Sequence, residues 1–385
     1  MKGCALEPCH PIPEMNLDNL HLKYDLTPVI NAAGSFTPLG VSRSSEPVAQ
    51  RTAQALREFF VIDELQSVAS AQLSDLCGCE AAAVTHCVSA AITQAVAACI
   101  AGTDADAIAA LPDAQGRANA VVIPEGHCVH YGHPLLTDIR LAGATAIQAG
   151  SHASCSTEDI EQALAQPGVC GLLLVSSRLT AFQDFDHHGA VAAARRRGIP
   201  TIIDGAAQDM RIPDLLATGA DAVLVSAHKY LASPTAGLVL GSRAFIERFR
   251  LQEVGIGRGM KPSKEAIVGV LAALEERRGQ DPAQWRQEQD HKVATAVALL
   301  DACPELQATA QIDPVGMPFQ RVQVTFKGGA GVARSTAKVL KAGRPSIWVM
   351  EHLLDQGVIV LELVALSKAE VMTVCETIAA SVPIC

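Results

Sequence analysis

Between residues 46 and 245 the chain alternates short, almost wholly apolar runs with longer stretches of helical period. The apolar runs fall at 82–85, 120–123, 145–148, 171–175, 200–204, 222–225 and 238–240, each bounded by polar or glycine-containing turns. Runs this short and this apolar read as strands buried on both faces, and the helical stretches between them have crossover length. The predicted fold class is therefore α/β, a seven-stranded and mainly parallel sheet between helices, with ligands gathering at the carboxyl ends of the strands. A helix is predicted over 46–60, where Ala49, Ala53, Leu56 and Phe60 recur at helical spacing and Pro47 suits the first turn.

The pattern differs at both ends. Residues 1–45 are rich in Pro, Asn and Gly, show little periodicity and read as an arm closing in the turn Asn31-Ala32-Ala33-Gly34-Ser35. Beyond Ser242, helical stretches at 245–254, 264–277 and 368–380 and strand-like pieces at 320–326 and 358–363 predict a smaller α+β domain. The expected divisions are an arm over 1–45, a large domain over 46–245 and a small domain over 246–385. Internal repeats and low-complexity tracts are absent from the sequence. The GxGxG at Gly255 follows a helix, not a strand, so it is not read as a dinucleotide fingerprint.

Composition narrows the function classes. The chain has 385 residues, a formal net charge of -10 and 18% charged residues, a balance that argues against a broad nucleic-acid surface. It has no run near the roughly 20 apolar residues of a membrane span and no secretory pattern at its start, so no membrane partner and a cytoplasmic setting are expected. The 12 cysteines, diluted over this length, read as reduced and often buried thiols. His86, Cys87, His127, Cys128, His130 and His133 do not repeat a finger or ribbon spacing, so no metal is expected.

The sharpest chemical signal is a pair. Lys229, in Ser226-Ala227-His228-Lys229, lies 25 residues after Asp204, in Ile202-Ile203-Asp204-Gly205-Ala206, and both follow apolar strand-like sequence. An amine and a carboxylate so placed can hold the two poles of a pyridoxal phosphate ring, the lysine as Schiff base and the aspartate at the ring nitrogen. A lysine in that role must be partly neutral, which apolar neighbours promote. The turn Thr85-His86-Cys87-Val88-Ser89 lies before an Ala-rich helix starting near Ala90; its amides and the Thr85 and Ser89 hydroxyls suit a phosphate, with Ser226 and His228 as further donors. Ser89 equally reads as an ordinary N-cap. His127, just after the second strand, is the candidate for stacking on the ring, with His130 and Tyr131 behind it.

In this order the pieces resemble the class V aminotransferase branch of fold-type I pyridoxal phosphate enzymes, over roughly residues 25–380. Ser-x-His-Lys at its distance from Asp-x-Ala is the most specific element, with Pro234 and Gly237 following. Within that branch the likeness is to the bacterial selenocysteine synthase and glucosaminate-6-phosphate ammonia-lyase group. It rests on Val29-Ile30-Asn31-Ala32-Ala33-Gly34, on Asp63-Glu64-Leu65-Gln66, on the glycine-arginine turn with Lys261, Lys264 and Glu265, and on Gly343-Arg344-Pro345-Ser346-Ile347. The resemblance implies Lys229 as the Schiff-base lysine and proton shuttle, Asp204 at the pyridinium and Ala206 beneath the ring. It also implies His127 above the ring, with Thr85, Ser89, Ser226 and His228 around the phosphate. The loop departs from the usual pattern in lacking a glycine after its first two residues, and Gln208 falls one residue late for a contact to the ring hydroxyl. Substrate contacts are expected from Ser35, Arg258 and Arg344, the guanidinium groups serving a carboxylate.

The expected reaction is a lyase acting on a small amino acid with a β-leaving group. Racemisation is the alternative; it needs a second base, for which His127, His130, Tyr131 and Cys128 are available. Transamination, selenium transfer and a non-catalytic cofactor-binding role stand behind these. A homodimer or larger homo-oligomer is expected, with the arm across the partner.

Overall fold

The computed structural model describes residues 19–382; the first 18 residues of the expected arm lie outside that range. In chain order its strands are β1 (Val29–Ala32), β2 (Ala81–Thr85), β3 (Ala120–Pro124), β4 (Thr145–Ala149), β5 (Val169–Val175) and β6 (Thr201–Asp204). They continue with β7 (Ala222–Ser226), β8 (Gly237–Gly241), β9 (Leu306–Ile312), β10 (Gln320–Phe326), β11 (Ser346–Val349) and β12 (Val358–Leu361). The chain divides into two compact units. The larger comprises Ser35–Asp290 and Ile312–Gln320, and the smaller comprises, of the described residues, 19–34, His291–Gln311 and 321–382.

The seven expected strands form one sheet in the larger unit, in the order β2-β8-β7-β6-β5-β3-β4. Only β8 runs antiparallel to its neighbours β2 and β7. Alternate residues serve two apolar layers although nearly all are buried: Leu172, Leu174, Ile203, Val223 and Val225 face one layer, and Leu173, Ile202 and Leu224 face the other. Because β2, β3, β5, β6 and β7 share a direction, Thr85, Pro124, Val175, Asp204 and Ser226 all end on one edge. β8 starts from that edge, where Gly237 pairs with both Thr85 and Ser226. A Cβ at Gly237 would lie 2.7 Å from the Cys87 carbonyl carbon, so glycine is what lets the 85–89 turn rest on β8.

The boundaries expected at 45 and 245 both fall inside the larger unit. The reason is packing: helix Lys264–Gly279 lies against helices Glu46–Ala55 and Ile62–Cys77, so the segment after 245 closes over the one before the sheet. In the smaller unit β12, β10 and β9 form a second sheet, and β1 pairs in parallel with β11. Val322, Val324, Ile359, Leu361, Val374 and Ile378 supply part of its separate core. Among the described residues no helix is long and apolar enough to cross a membrane.

β2 is an edge strand, and the helix Ile62–Cys77 closes that edge with side chains. Gln66 Nε2 donates to Val84 O at 2.8 Å while its Oε1 accepts from Val84 N–H at 3.1 Å. Ser70 Oγ accepts from Ala82 N–H at 3.0 Å. The buried Gln66 amide thus replaces a neighbouring strand, which keeps the edge from pairing with another chain. Gln66→Leu leaves both main-chain groups of Val84 unmet in an apolar setting; chemical denaturation is expected to show a loss of about 2–4 kcal/mol.

Candidate active site

Asp204 is the last residue of β6 and is buried. Its Oδ1 accepts the Ala206 N–H at 3.0 Å, and Oδ2 has no hydrogen-bond partner among the described residues. Burial drives its pKa up from 3.8 to about 6; Lys229 and the Ala206 N–H oppose that rise, and the Asp138 carboxylate adds to it. Lys229 follows β7 by three residues, in a turn whose N–H reaches Ser226 O at 3.3 Å. Its pKa is lowered by burial, with Asp204 opposing and the Arg178 guanidinium reinforcing. The Ser42 and Ser44 hydroxyls donate to the carbonyls of His228 and Ala232 at 2.7 Å each, pinning the lysine turn to the segment after Ser35. Ala206 is fixed from both sides, its N–H on Asp204 and its carbonyl taking the Ser226 N–H.

Two other buried carboxylates stand in this half of the sheet, and each has a side-chain partner. Asp209 pairs through Oδ2 with Arg277 at 3.1 Å, while its Oδ1 is buried without a hydrogen bond among the described residues. Asp138 accepts from Ser89 Oγ at 2.7 Å and from the Tyr131 hydroxyl, with His133 Nε2 at 3.2 Å. Asp204 differs from both in having only a main-chain N–H as hydrogen-bond donor among the described residues, which leaves it room for a cationic ring N–H.

His127 is buried among the rings of Phe182, Phe185 and His187, with centroids 5.5, 4.7 and 5.9 Å away. The β3–β5 pairing extends to Val122 and Leu172; beyond it Val175 stays paired with Asp204 of β6 but its N–H has no partner on β3. His127 Nδ1 accepts the Val175 N–H at 3.0 Å in its stead. That bond fixes the neutral ring as the Nε2–H tautomer, and burial holds its pKa down at about 3.

The expected phosphate turn is present, with its donors distributed differently. The helix begins at Val88, not near Ala90, and its N-cap is Cys87, whose Sγ accepts from Ala90 N–H at 3.5 Å; Ser89 is not the cap. The Val88 and Ser89 amides are among those that a helix leaves open at its first turn. The Thr85 hydroxyl lies 2.9 Å from Met260 O and 3.0 Å from Gln94 Oε1, and the Ser89 hydroxyl donates to Asp138. Ser226 is buried with no side-chain partner among the described residues, and His228 Nδ1 meets the Ala236 backbone at 3.1–3.3 Å. Pyridoxal phosphate fits what is present: an open carboxylate oxygen at β6, an amine of lowered pKa after β7, and open amides at the Val88 helix.

Of the expected substrate contacts, Ser35 is half-buried at the start of the larger unit, and Arg258 is exposed in the turn Ile256–Met260. Arg344 is exposed in the smaller unit, just before β11. Asp138, Arg178 and the Asp209–Arg277 pair were not singled out from sequence. Asp138 had a readable signal, since it shares a helical face with the apolar Leu135, Ile139 and Ala142.

Residues 29–311 match the SelA family, L-seryl-tRNA selenium transferase. D-Glucosaminate-6-phosphate ammonia lyase of Salmonella typhimurium is 33% identical over 362 residues, covering 91% of this chain and 95% of the relative. A 5'-C-glycyluridine monooxygenase-decarboxylase of a Streptomyces species is 31% identical over 366 residues, covering 93% of this chain and 91% of the relative. A solved structure of D-glucosaminate-6-phosphate ammonia-lyase aligns with a TM-score of 0.84 at 31% identity, over 95% of this chain and 99% of that one.

The raised pKa of Asp204 carries a stability consequence. A carboxyl whose folded pKa is about 6 against 3.8 unfolded favours folding below pH 3.8, and that contribution is lost as pH rises through 6. In the cofactor-free protein, Asp204→Asn is expected to match the parent near pH 4 and to exceed it by about 1–3 kcal/mol at pH 7.5, read by denaturant melts at both pH values.

Proposed function

The chain belongs to the L-seryl-tRNA selenium transferase (SelA) family, and from that premise we propose that it is a pyridoxal-phosphate-dependent lyase of small amino acids carrying a β-leaving group. When bound, pyridoxal phosphate supplies an electron sink next to the substrate α-carbon. Asp204 carries this reading: of the three buried carboxylates it is the one with no side-chain hydrogen-bond partner among the described residues, and it belongs on the ring nitrogen. Lys229 holds the cofactor and moves the α-proton, for which burial and Arg178 keep its amine basicity low. The Val88 and Ser89 amides, Ser226 and His228 take the phosphate, with Thr85 bracing the turn through Met260. His127 packs over the ring and Ala206 under it. A relative named as an ammonia lyase, alike over nearly its whole length, supports elimination.

The protonation states around the site weigh against racemisation, which needs a second proton acceptor. Nδ1 of His127 is occupied by the Val175 N–H, the Tyr131 hydroxyl is committed to Asp138, and burial pushes the Cys128 thiol up to about 11. The acidic chain supports a small-molecule substrate and no nucleic-acid partner. The nine described cysteines are free, which supports a reducing, cytoplasmic setting. Leu56, Phe59, Phe60 and Val61 form an exposed apolar stretch, with Phe59 fully open, and this supports a homodimer or larger homo-oligomer.

Borohydride treatment of the holoprotein is expected to fix a pyridoxyl mass on Lys229, and Lys229→Ala to lose both the adduct and the visible absorbance; an unchanged spectrum in that variant defeats the assignment. In deuterated water, a panel of L- and D-amino acids is expected to give keto acid and ammonia without an amino acceptor, whereas α-deuterated product of inverted configuration marks a racemase. Phe59→Glu is expected to lower the molar mass seen by light scattering by at least about half.

A further inference from the structure

The carboxyl edge of the sheet carries a further cation beside Asp204 and Lys229. β5 ends beside β6, with Val175 in register with Asp204, and the Ser176 N–H continues the ladder to Asp204 O at 2.8 Å. Two residues further on stands Arg178, at the head of a turn whose own groups hold it in shape. Leu179 N–H donates to Ser177 Oγ at 3.1 Å, Thr180 Oγ1 lies 2.8 Å from the carbonyls of both Ser177 and Phe182, and Gln183 Nε2 donates to Ser177 O at 3.2 Å. The turn is stitched to the His127 turn by Ala181 N–H on Gly126 O at 2.9 Å. Gly126 also lies so near Phe182 that a Cβ there would meet its ring at 2.3 Å.

The geometry points to Arg178 as the residue that binds the α-carboxylate of the substrate, presented by a rigid turn at the end of β5 on the same edge as Asp204 and Lys229. The inference deepens the proposed function and rests on it. β5, β6 and β7 are adjacent strands about 5 Å apart, so Arg178, Asp204 and Lys229 stand on three neighbouring strand ends. The α-carboxylate of an amino acid is two bonds from its amine nitrogen, and the length of an arginine side chain covers the spacing between these strand ends. A guanidinium meets such a carboxylate with two parallel N–H donors. The electrostatic effect of Arg178 on Lys229 agrees with that nearness. Arg258 is less well placed: the Met260 carbonyl ties its turn to Thr85 and the His86 N–H, at the phosphate end of the site. The specificity that follows is for free amino acids over their esters, amides or decarboxylated amines.

The test uses two reagents that attack any lysine-bound pyridoxal phosphate and differ in charge. Aminooxyacetate carries a carboxylate, and methoxyamine does not. With the holoenzyme, Arg178→Gln is expected to slow bleaching of the visible band by aminooxyacetate about tenfold or more, and by methoxyamine less than about twofold, with Arg178→Lys in between. Equal slowing by both reagents, or slowing by neither, overturns the assignment. Borohydride labelling of the same preparations separates the two claims. A label on Lys229 in parent and variants leaves the cofactor reading standing whatever the reagent ratio, and no label in the parent overturns that reading together with the inference.

Discussion

A buried carboxylate facing a half-buried lysine across two neighbouring strand ends is the constraint around which the larger unit is built. Neither group is comfortable alone: burial raises Asp204 toward its neutral form and lowers Lys229 toward its own, and each restrains the other. The parallel run of β6 and β7 puts both on one edge, and the chain spends hydrogen bonds on keeping them there. Ala206 bridges the two strand ends, and Ser42 and Ser44 hold the lysine turn from outside. A ring bearing a cationic N–H at one pole and an aldehyde at the other relieves both groups together, which is why the pair reads as an unfinished site and not as a structural salt bridge.

The same edge shows how a break in regular structure is put to use. The β3–β5 ladder ends at Val122 and Leu172, and the position next to Val175 is filled by an imidazole from the turn that follows Pro124. His127 is held by the sheet as firmly as a backbone group would be, at the cost of its freedom to titrate. Its contribution is a flat, neutral face and one N–H. The Ser89 hydroxyl is tied up in a comparable way by Asp138, so an anion bound at the Val88 helix would depend on backbone amides more than on the hydroxyls that stand nearest in sequence.

Much of this was legible before any coordinates. All seven strands of the large sheet are found where apolar runs were read, and Lys229 and Asp204 stand at strand ends as expected, because parallel strands buried on both faces leave an unbroken hydrophobic signature. The antiparallel course of β8 was not readable, since burial is the same for either direction. β9 was missed because its outer half is exposed, and β1 because it lies in the turn-rich segment that ends at Gly34. The 20-residue helix Pro282–Asp301 was missed because between Gln284 and Lys292 only Trp285 is apolar. At the site, residue types were legible and partners were not. Thr85 and Ser89 have the right chemistry for a phosphate, yet the groups that claim their hydroxyls include Met260 O and Asp138, which are distant in sequence, beside Gln94 of the helix that follows.

Family membership and scaffold leave the reaction open, because every route from an amino acid on this cofactor begins with loss of a bond at the α-carbon. What separates the routes is where protons can go next. Elimination needs one group to take the α-proton and a path for the leaving group; racemisation needs two opposed groups that trade protons. With His127 locked by Val175, Tyr131 turned to Asp138 and the Cys128 thiol held protonated, Lys229 is left as the amine whose basicity burial has tuned for the task. With three of the four candidate second bases so engaged, departure of a β-substituent is favoured over return of a proton to the opposite face, and the preference for elimination draws on hydrogen bonds that the fold had already made for structural reasons.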